Sequence, residues 1–146
     1  MKKKIFITII TVLLCIVVSG CSTGSIKLNE TTDIKDNKIK LTVLGSEKVK
    51  IDEGELSVAN GDYIKVKMSI ENYGSETYTW TLLNFSLGEE MPSLTTAGQD
   101  DYIASDVNSG QTITGYMYFP VTESDKLIYY SKVIGNDSNS TYEFNI

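Results

Sequence analysis

Between Tyr63 and Asn72 the chain alternates strictly. Ile64, Val66, Met68 and Ile70 are apolar, and Lys65, Lys67, Ser69 and Glu71 between them are polar. A helix needs apolar residues every three or four positions to cover one side, so a period of two excludes it. The same period lines one face of a pleated strand and leaves the other face wet. It recurs in Ile39, Leu41 and Val43, in Ile113, Gly115, Met117 and Phe119, and in Tyr142, Phe144 and Ile146. Val49 and Ile51 continue the first of these strands or begin another, and Leu56 and Val58 form a short run. Leu127 to Ile134 is apolar on both parities, as a central strand is.

Turn chemistry separates these runs. Asn60-Gly61, Asn72-Tyr73-Gly74-Ser75 and Ser109-Gly110 supply residues that tolerate positive φ. Pro120 cannot donate to a ladder and ends its strand. Tyr78, Trp80 and Leu82 alternate, then the phase slips to Leu83, Phe85 and Leu87. Such a slip turns side chains to the wrong face unless the backbone bends, so a bend is expected near Leu82-Leu83. Gly88 to Gly110 is polar and irregular, with room for one short strand at Tyr102-Ile103-Ala104. Gly135 to Ser140 reads as a loop. Seven to nine short strands follow, with no helix after the first 20 residues. That pattern predicts an all-β fold, an antiparallel two-sheet immunoglobulin-like sandwich over residues 38–146. The Cys–Trp–Cys spacing of antibody domains is absent, so the term describes architecture only.

The first 20 residues read differently. Met1-Lys2-Lys3-Lys4 is basic, Ile5 to Val18 is apolar, and Ser19-Gly20 is small. This is the layout of a cleaved signal peptide, and the apolar run falls short of the roughly 20 residues a membrane span needs. Val18-Ser19-Gly20-Cys21 resembles the lipobox of bacterial lipoproteins. That resemblance implies cleavage between Gly20 and Cys21, with acyl chains such as palmitate attached through the Cys21 thiol. Two chains anchor stably where one binds only marginally. The expected location is the extracytoplasmic face of the cell membrane. Residues 21–37 are polar and aperiodic, which predicts a flexible tether.

Composition narrows the chemistry. The full chain has 13 basic and 19 acidic side chains, no His and a net charge of −6. Loss of the leader with its three lysines leaves 10 − 19 = −9. A nucleic-acid partner is not expected, because phosphate binding needs a basic patch. There is no Arg, hence no bidentate clamp for phosphate or carboxylate. Cys15 leaves with the leader and Cys21 is acylated, so the domain is expected to hold neither a thiol nor a disulfide. No cofactor motif stands in the chain, and neither a cofactor nor a metal is expected.

His-based catalysis and a Cys nucleophile are excluded. Paired carboxylates remain, with Glu89, Glu90, Asp100 and Asp101 as candidates for glycan cleavage. Adjacent acids in a polar loop are more simply solvated. Asp52-Glu53-Gly54-Glu55, Gln99-Asp100-Asp101 and Asn136-Asp137-Ser138-Asn139 are oxygen-rich, but none has calcium-loop spacing. Tyr116 and Tyr118 stand on the parity opposite Ile113, Met117 and Phe119, which makes them candidate binding residues. The plainer reading is that they cover a neighbouring strand or lie under the long loop. Trp80 reads as core.

Four stretches together carry a family resemblance. They are Val66 to Gly74, Asn84-Phe85-Ser86-Leu87, Ser109 to Val121 and Lys126-Leu127-Ile128-Tyr129-Tyr130. They resemble small Gram-positive lipoproteins with an immunoglobulin-like domain of unknown function, related to a mycobacterial secreted immunogenic protein. The resemblance implies the fold and the surface location and supplies no activity. The expectation is a non-catalytic binding module at the cell surface, with an envelope or surface protein as partner. The alternatives are a small wall-glycan hydrolase and a purely structural surface lipoprotein.

Overall fold

The computed structural model describes residues 24–51, 61–93 and 103–146. Among the described residues nine strands run in chain order: β1 (Thr31–Ile34), β2 (Ile39–Ile51), β3 (Gly61–Asn72), β4 (Tyr78–Thr79), β5 (Phe85–Leu87), β6 (Asp106–Val107), β7 (Thr112–Pro120), β8 (Lys126–Tyr130) and β9 (Thr141–Asn145). One sheet has the order β1-β2-β3-β7, a second has β5-β8-β9, and β4 pairs with β6 as a short ribbon. Every pairing among these nine strands is antiparallel. The expected two-sheet sandwich is the fold.

The alternating apolar residues meet between the sheets. Leu41, Val43, Val66, Met68, Ile70, Met117 and Phe119 come from the larger sheet, and Phe85, Leu87, Leu127, Tyr129 and Phe144 from the smaller. Each of these side chains is fully buried. Phe85 is the aromatic hub. Its ring centroid lies 5.6 Å from Trp80 and 5.1 Å from Tyr129, both edge-on. Edge-to-face pairs of this kind add about 0.5–1.5 kcal/mol beyond the area they bury. Trp80 is core, as expected, and donates its indole N–H to the Ala104 carbonyl at 2.6 Å.

The bend expected near Leu82-Leu83 is a single 3-10 turn, Leu82–Asn84. Asn84 fixes it by accepting from the Thr81 backbone N–H at 2.8 Å and donating to the Tyr130 carbonyl at 3.0 Å. The phase slip is therefore absorbed between β4 and β5.

Three expectations need correction. Residues 26–37 are folded, not a tether. β1 pairs residue for residue with the start of β2, and Ile26 forms a parallel bridge with Phe144 of β9. The segment closes the edges of both sheets, and backbone pairing outweighs its polar composition. Second, β8 ends at Tyr130, leaving Val133 and Ile134 exposed in the β8–β9 loop. Third, Ile103-Ala104 is not a strand, and β6 lies two residues later. Leu56, Val58, Asn60 and Tyr102 fall outside the described residues.

The sandwich has two distinct ends. At the Asn37 end, the β1–β2 turn donates from Asn37 to the Ser131 carbonyl, and Tyr73 N–H donates to the Lys38 carbonyl. Buried Asn72 ties this end together. Its amide donates to the carbonyls of Glu76 and Val107, and its side-chain oxygen accepts from Gly74 N–H. At the Pro120 end, Pro120 stands opposite Tyr63, and Ile146 N–H donates to the Asp125 carbonyl.

Candidate functional site

The outer face of the larger sheet is not uniformly polar, and a β-bulge is the reason. Val43 stands opposite Met68, but Gly45 stands opposite Lys67, so two steps on β2 match one on β3. The extra residue inverts the parity of everything after it. Val49 and Ile51 therefore leave the core face and join Tyr63, Tyr116 and Tyr118 in a second apolar cluster on the outside of the sheet.

Tyr116 and Tyr118 do face away from the main core. Tyr118 is only 5% exposed and packs with Ile51 and Tyr63. It cannot serve as a free binding residue, and that expectation is corrected. Tyr116 is half-buried. Its ring centroid lies 3.9 Å from Lys65 Nζ and 5.7 Å from Lys67 Nζ. An exposed cation–π pair contributes about 0.5–1 kcal/mol and holds the ammonium over the ring. Gly45, Ser46, Glu47, Lys65, Lys67 and Tyr116 line a shallow groove of about 200 Å³. Apart from Gly45 itself and its chain neighbours, no atom lies within 4 Å of where a Gly45 Cβ would stand, so the bulge leaves that wall open.

A second concavity, of about 350 Å³, lies at the Asn37 end between the β1–β2 turn and residues 72–78. A chain of hydrogen bonds runs beside it. Tyr129 donates to Asn37 Oδ1 at 2.9 Å, so its hydroxyl must accept from Tyr78, 2.6 Å away. Asn37 passes the chain on to the Ser131 carbonyl at 3.0 Å. Burial pushes the Tyr78 phenol up to about 12. Burial, with the neighbouring Tyr78, pushes Tyr129 still further up. Both remain neutral hydroxyls and hold structure. The Tyr142 phenol is also raised, first by burial and then by Asp36. Tyr73 donates to Asp33 at 2.7 Å, and that bond raises its phenol. The amides and hydroxyls around this cleft are thus largely used within the fold. The Tyr116 groove instead presents an exposed Lys67 and a ring face.

The remaining candidates separate. Gly20, Cys21, Asp52 to Glu55 and Gln99 to Asp101 lie outside the described residues. Glu89 is exposed and Glu90 half-buried, in a turn closed by Leu87 N–H donating to the Glu90 carbonyl at 2.8 Å. In the 136–139 loop, Asn136 Oδ1 accepts from both Ser138 N–H and its hydroxyl, and Asn139 accepts from Lys132 N–H. Those oxygens close the turn. Among the described residues no three His, Cys, Asp or Glu side chains gather as metal ligands would. Sequence reasoning missed Lys65 and Lys67 as partners of Tyr116. The signal was Gly45, a glycine inside a strand pattern, where a bulge is common.

A small immunoglobulin-like sandwich with a cation–aromatic groove on one sheet face is the class of module that fold and surface define. The chain belongs to the family described as a domain of unknown function (DUF4352), which matches residues 26–141. No curated protein matches the chain in sequence. Among solved structures, the yjhA protein of Bacillus subtilis is similar with a TM-score of 0.61 and 16% identity, over 82% of this chain and 98% of that one. The secreted protein MPT63 of Mycobacterium tuberculosis is similar with a TM-score of 0.57 and 15% identity, over 86% of this chain and 100% of that one. A candidate lipoprotein of Bacillus subtilis, ycdA, is similar with a TM-score of 0.53 and 15% identity, over 82% of this chain and 38% of that one. At these identities the likeness is one of fold.

Proposed function

We propose that this protein is a lipid-anchored, extracytoplasmic module that works by binding and not by catalysis, with the Tyr116 groove as its recognition surface. The carrying observation is the stacked Lys65–Tyr116 pair beside exposed Lys67, in a groove left open at Gly45. The groove sets two ammonium groups, Lys65 and Lys67, against one carboxylate, Glu47, on a chain whose processed form carries a net charge of −9. An acidic or hydroxyl-rich group on an envelope or surface protein suits it, because an ammonium and a ring face together accept an anion and the carbon skeleton beside it. The lipobox-like Val18-Ser19-Gly20-Cys21 supports the anchor. A secreted protein and a candidate lipoprotein among its structural neighbours agree with a place outside the cytoplasm.

The test is in-cell crosslinking of wild type against Lys67→Glu and Tyr116→Ser. Loss of one specific crosslinked species in both variants, with unchanged thermal melting, is the expected result. Undiminished crosslinking would remove the groove from the reading. Cys21→Ser is expected to move the chain from the membrane to the soluble fraction. A Cys21→Ser chain that stays at the membrane with its molecular mass unchanged would remove the anchor.

A further inference from the structure

We infer that the Asn37 end of the sandwich rests on the lipid bilayer, through an apolar patch made by Leu83, Val133 and Ile134. The inference depends on the anchoring at Cys21 proposed above. Three features carry it.

The first is the length of free chain. Folded structure begins at the Ile26–Phe144 bridge, not near residue 38. Ile26 follows Cys21 by five positions. Fully extended, that stretch spans at most about 18 Å. A tether of 16 residues would let the domain float clear of the bilayer, but this one cannot.

The second is direction. Ile26 N–H donates to the Glu143 carbonyl at 2.7 Å, and Asn145 N–H donates to the Ile26 carbonyl at 2.8 Å, so the segment runs parallel to β9. Followed backwards from Ile26, the chain travels towards Thr141, where β9 begins. That is the Asn37 end, because Ser140 donates to Asp36 and Asn37 donates to Ser131. The anchored terminus therefore leaves the domain beside the β8–β9 loop.

The third is the surface found there. Leu83, Val133 and Ile134 are 48%, 39% and 38% exposed. Ile134 N–H donates to the Leu83 carbonyl at 2.9 Å, which ties the 3-10 turn to the loop. That bond brings the three exposed residues together at the end of the smaller sheet. Lys132 adjoins it, with a charge suited to the headgroup level. Asp36, Glu76 and Asp137 are exposed at the same end, so attraction to anionic lipid is not the driving force. Apolar insertion at the interface is. This orientation turns the Tyr116 groove sideways and the Pro120 end outwards, leaving both accessible.

The experiment uses the processed full chain, with Cys21 acylated, in neutral phosphatidylcholine vesicles. A single reporter thiol is introduced at the patch (Val133→Cys) or at exposed Glu123 near the Pro120 end (Glu123→Cys). Each is labelled with a membrane-impermeant maleimide. Position 133 is expected to label about tenfold or more slowly than 123, since a docked thiol reacts only from the minor undocked population. Adding Leu83→Ser and Ile134→Ser should restore fast labelling at 133. Equal rates at 133 and 123 in a chain that co-floats with the vesicles would overturn the docking and leave the anchor intact. A processed chain that does not co-float overturns the anchor and the docking with it.

Discussion

The hydroxyls of Tyr78 and Tyr129 lie 2.6 Å apart, with Tyr78 donating to Tyr129 and Tyr129 donating to Asn37. Burial holds Tyr78 neutral up to about pH 12, and Tyr129 is raised further. In the unfolded chain both ionise near pH 10. Above that pH the unfolded state binds fewer protons than the folded state, so stability falls as pH rises. It is expected to be full below about pH 10 and to fall from there to about pH 12 and beyond, by about 1.4 kcal/mol per pH unit for each phenol. Tyr78→Phe should remove the Tyr78 share of that slope, while the raised Tyr73 and Tyr142 phenols contribute equally in both proteins, and it should lower stability at neutral pH modestly, since Tyr129 keeps its bond to Asn37. Urea titrations across this range measure both effects. A slope equal in the two proteins would exclude the coupling.

Gly115 interrupts an otherwise bulky row, Ile113, Met117 and Phe119, on the core face of β7. A Cβ there would stand 2.6 Å from Ile103 Cα and 2.7 Å from Ile103 N. Ile103 lies this close because its N–H donates to the Tyr116 carbonyl at 3.0 Å, along the edge of β7. Ser93 N–H does the same to the Tyr118 carbonyl at 2.7 Å. Ser93 and Ile103 thereby cover an edge strand that would otherwise offer unpaired carbonyls. Gly115→Ala should force backbone apart and cost about 1–3 kcal/mol. Chemical denaturation gives that figure. A neutral effect would mean that the backbone at Ile103 yields freely.

The sheets were legible in the sequence because most strands keep one parity from end to end. Ile64 to Ile70 and Ile113 to Phe119 meet across β3 and β7 in the order the alternation implies. Val49 and Ile51 defeat the same rule. They share parity with Ile39, Leu41 and Val43, yet face the opposite side, because the bulge at Gly45 inverts the strand between them. Periodicity carries no record of such a shift unless the glycine is read as one. The Tyr116 groove was half legible for the same reason. Outward-facing tyrosines follow from parity, but burial of Tyr118 by Ile51 and Tyr63 depends on the inverted half of β2. β1 was illegible for a different reason. Thr31-Thr32-Asp33-Ile34 has only Ile34 buried, and its pairing comes from backbone bonds to β2, to which side-chain pattern is blind.

Ile26 decides whether the start of the domain is structural. Its side chain is half-buried against the main core, and its backbone donates to Glu143 and accepts from Asn145. A residue in a loose tether would tolerate any substitution. A fully buried Ile→Ala change costs about 2–5 kcal/mol, and a half-buried site should lose about half of that. Ile26→Ala is therefore expected to destabilise the protein by about 1–2 kcal/mol. Ile26→Pro should cost more, because it also deletes the N–H that bonds Glu143. The urea midpoint should fall in both variants with little change in slope, since the rest of the fold still unfolds as one unit. A midpoint unmoved in Ile26→Pro would return residues 24–30 to the tether, lengthen the free chain and weaken the geometric argument for bilayer contact.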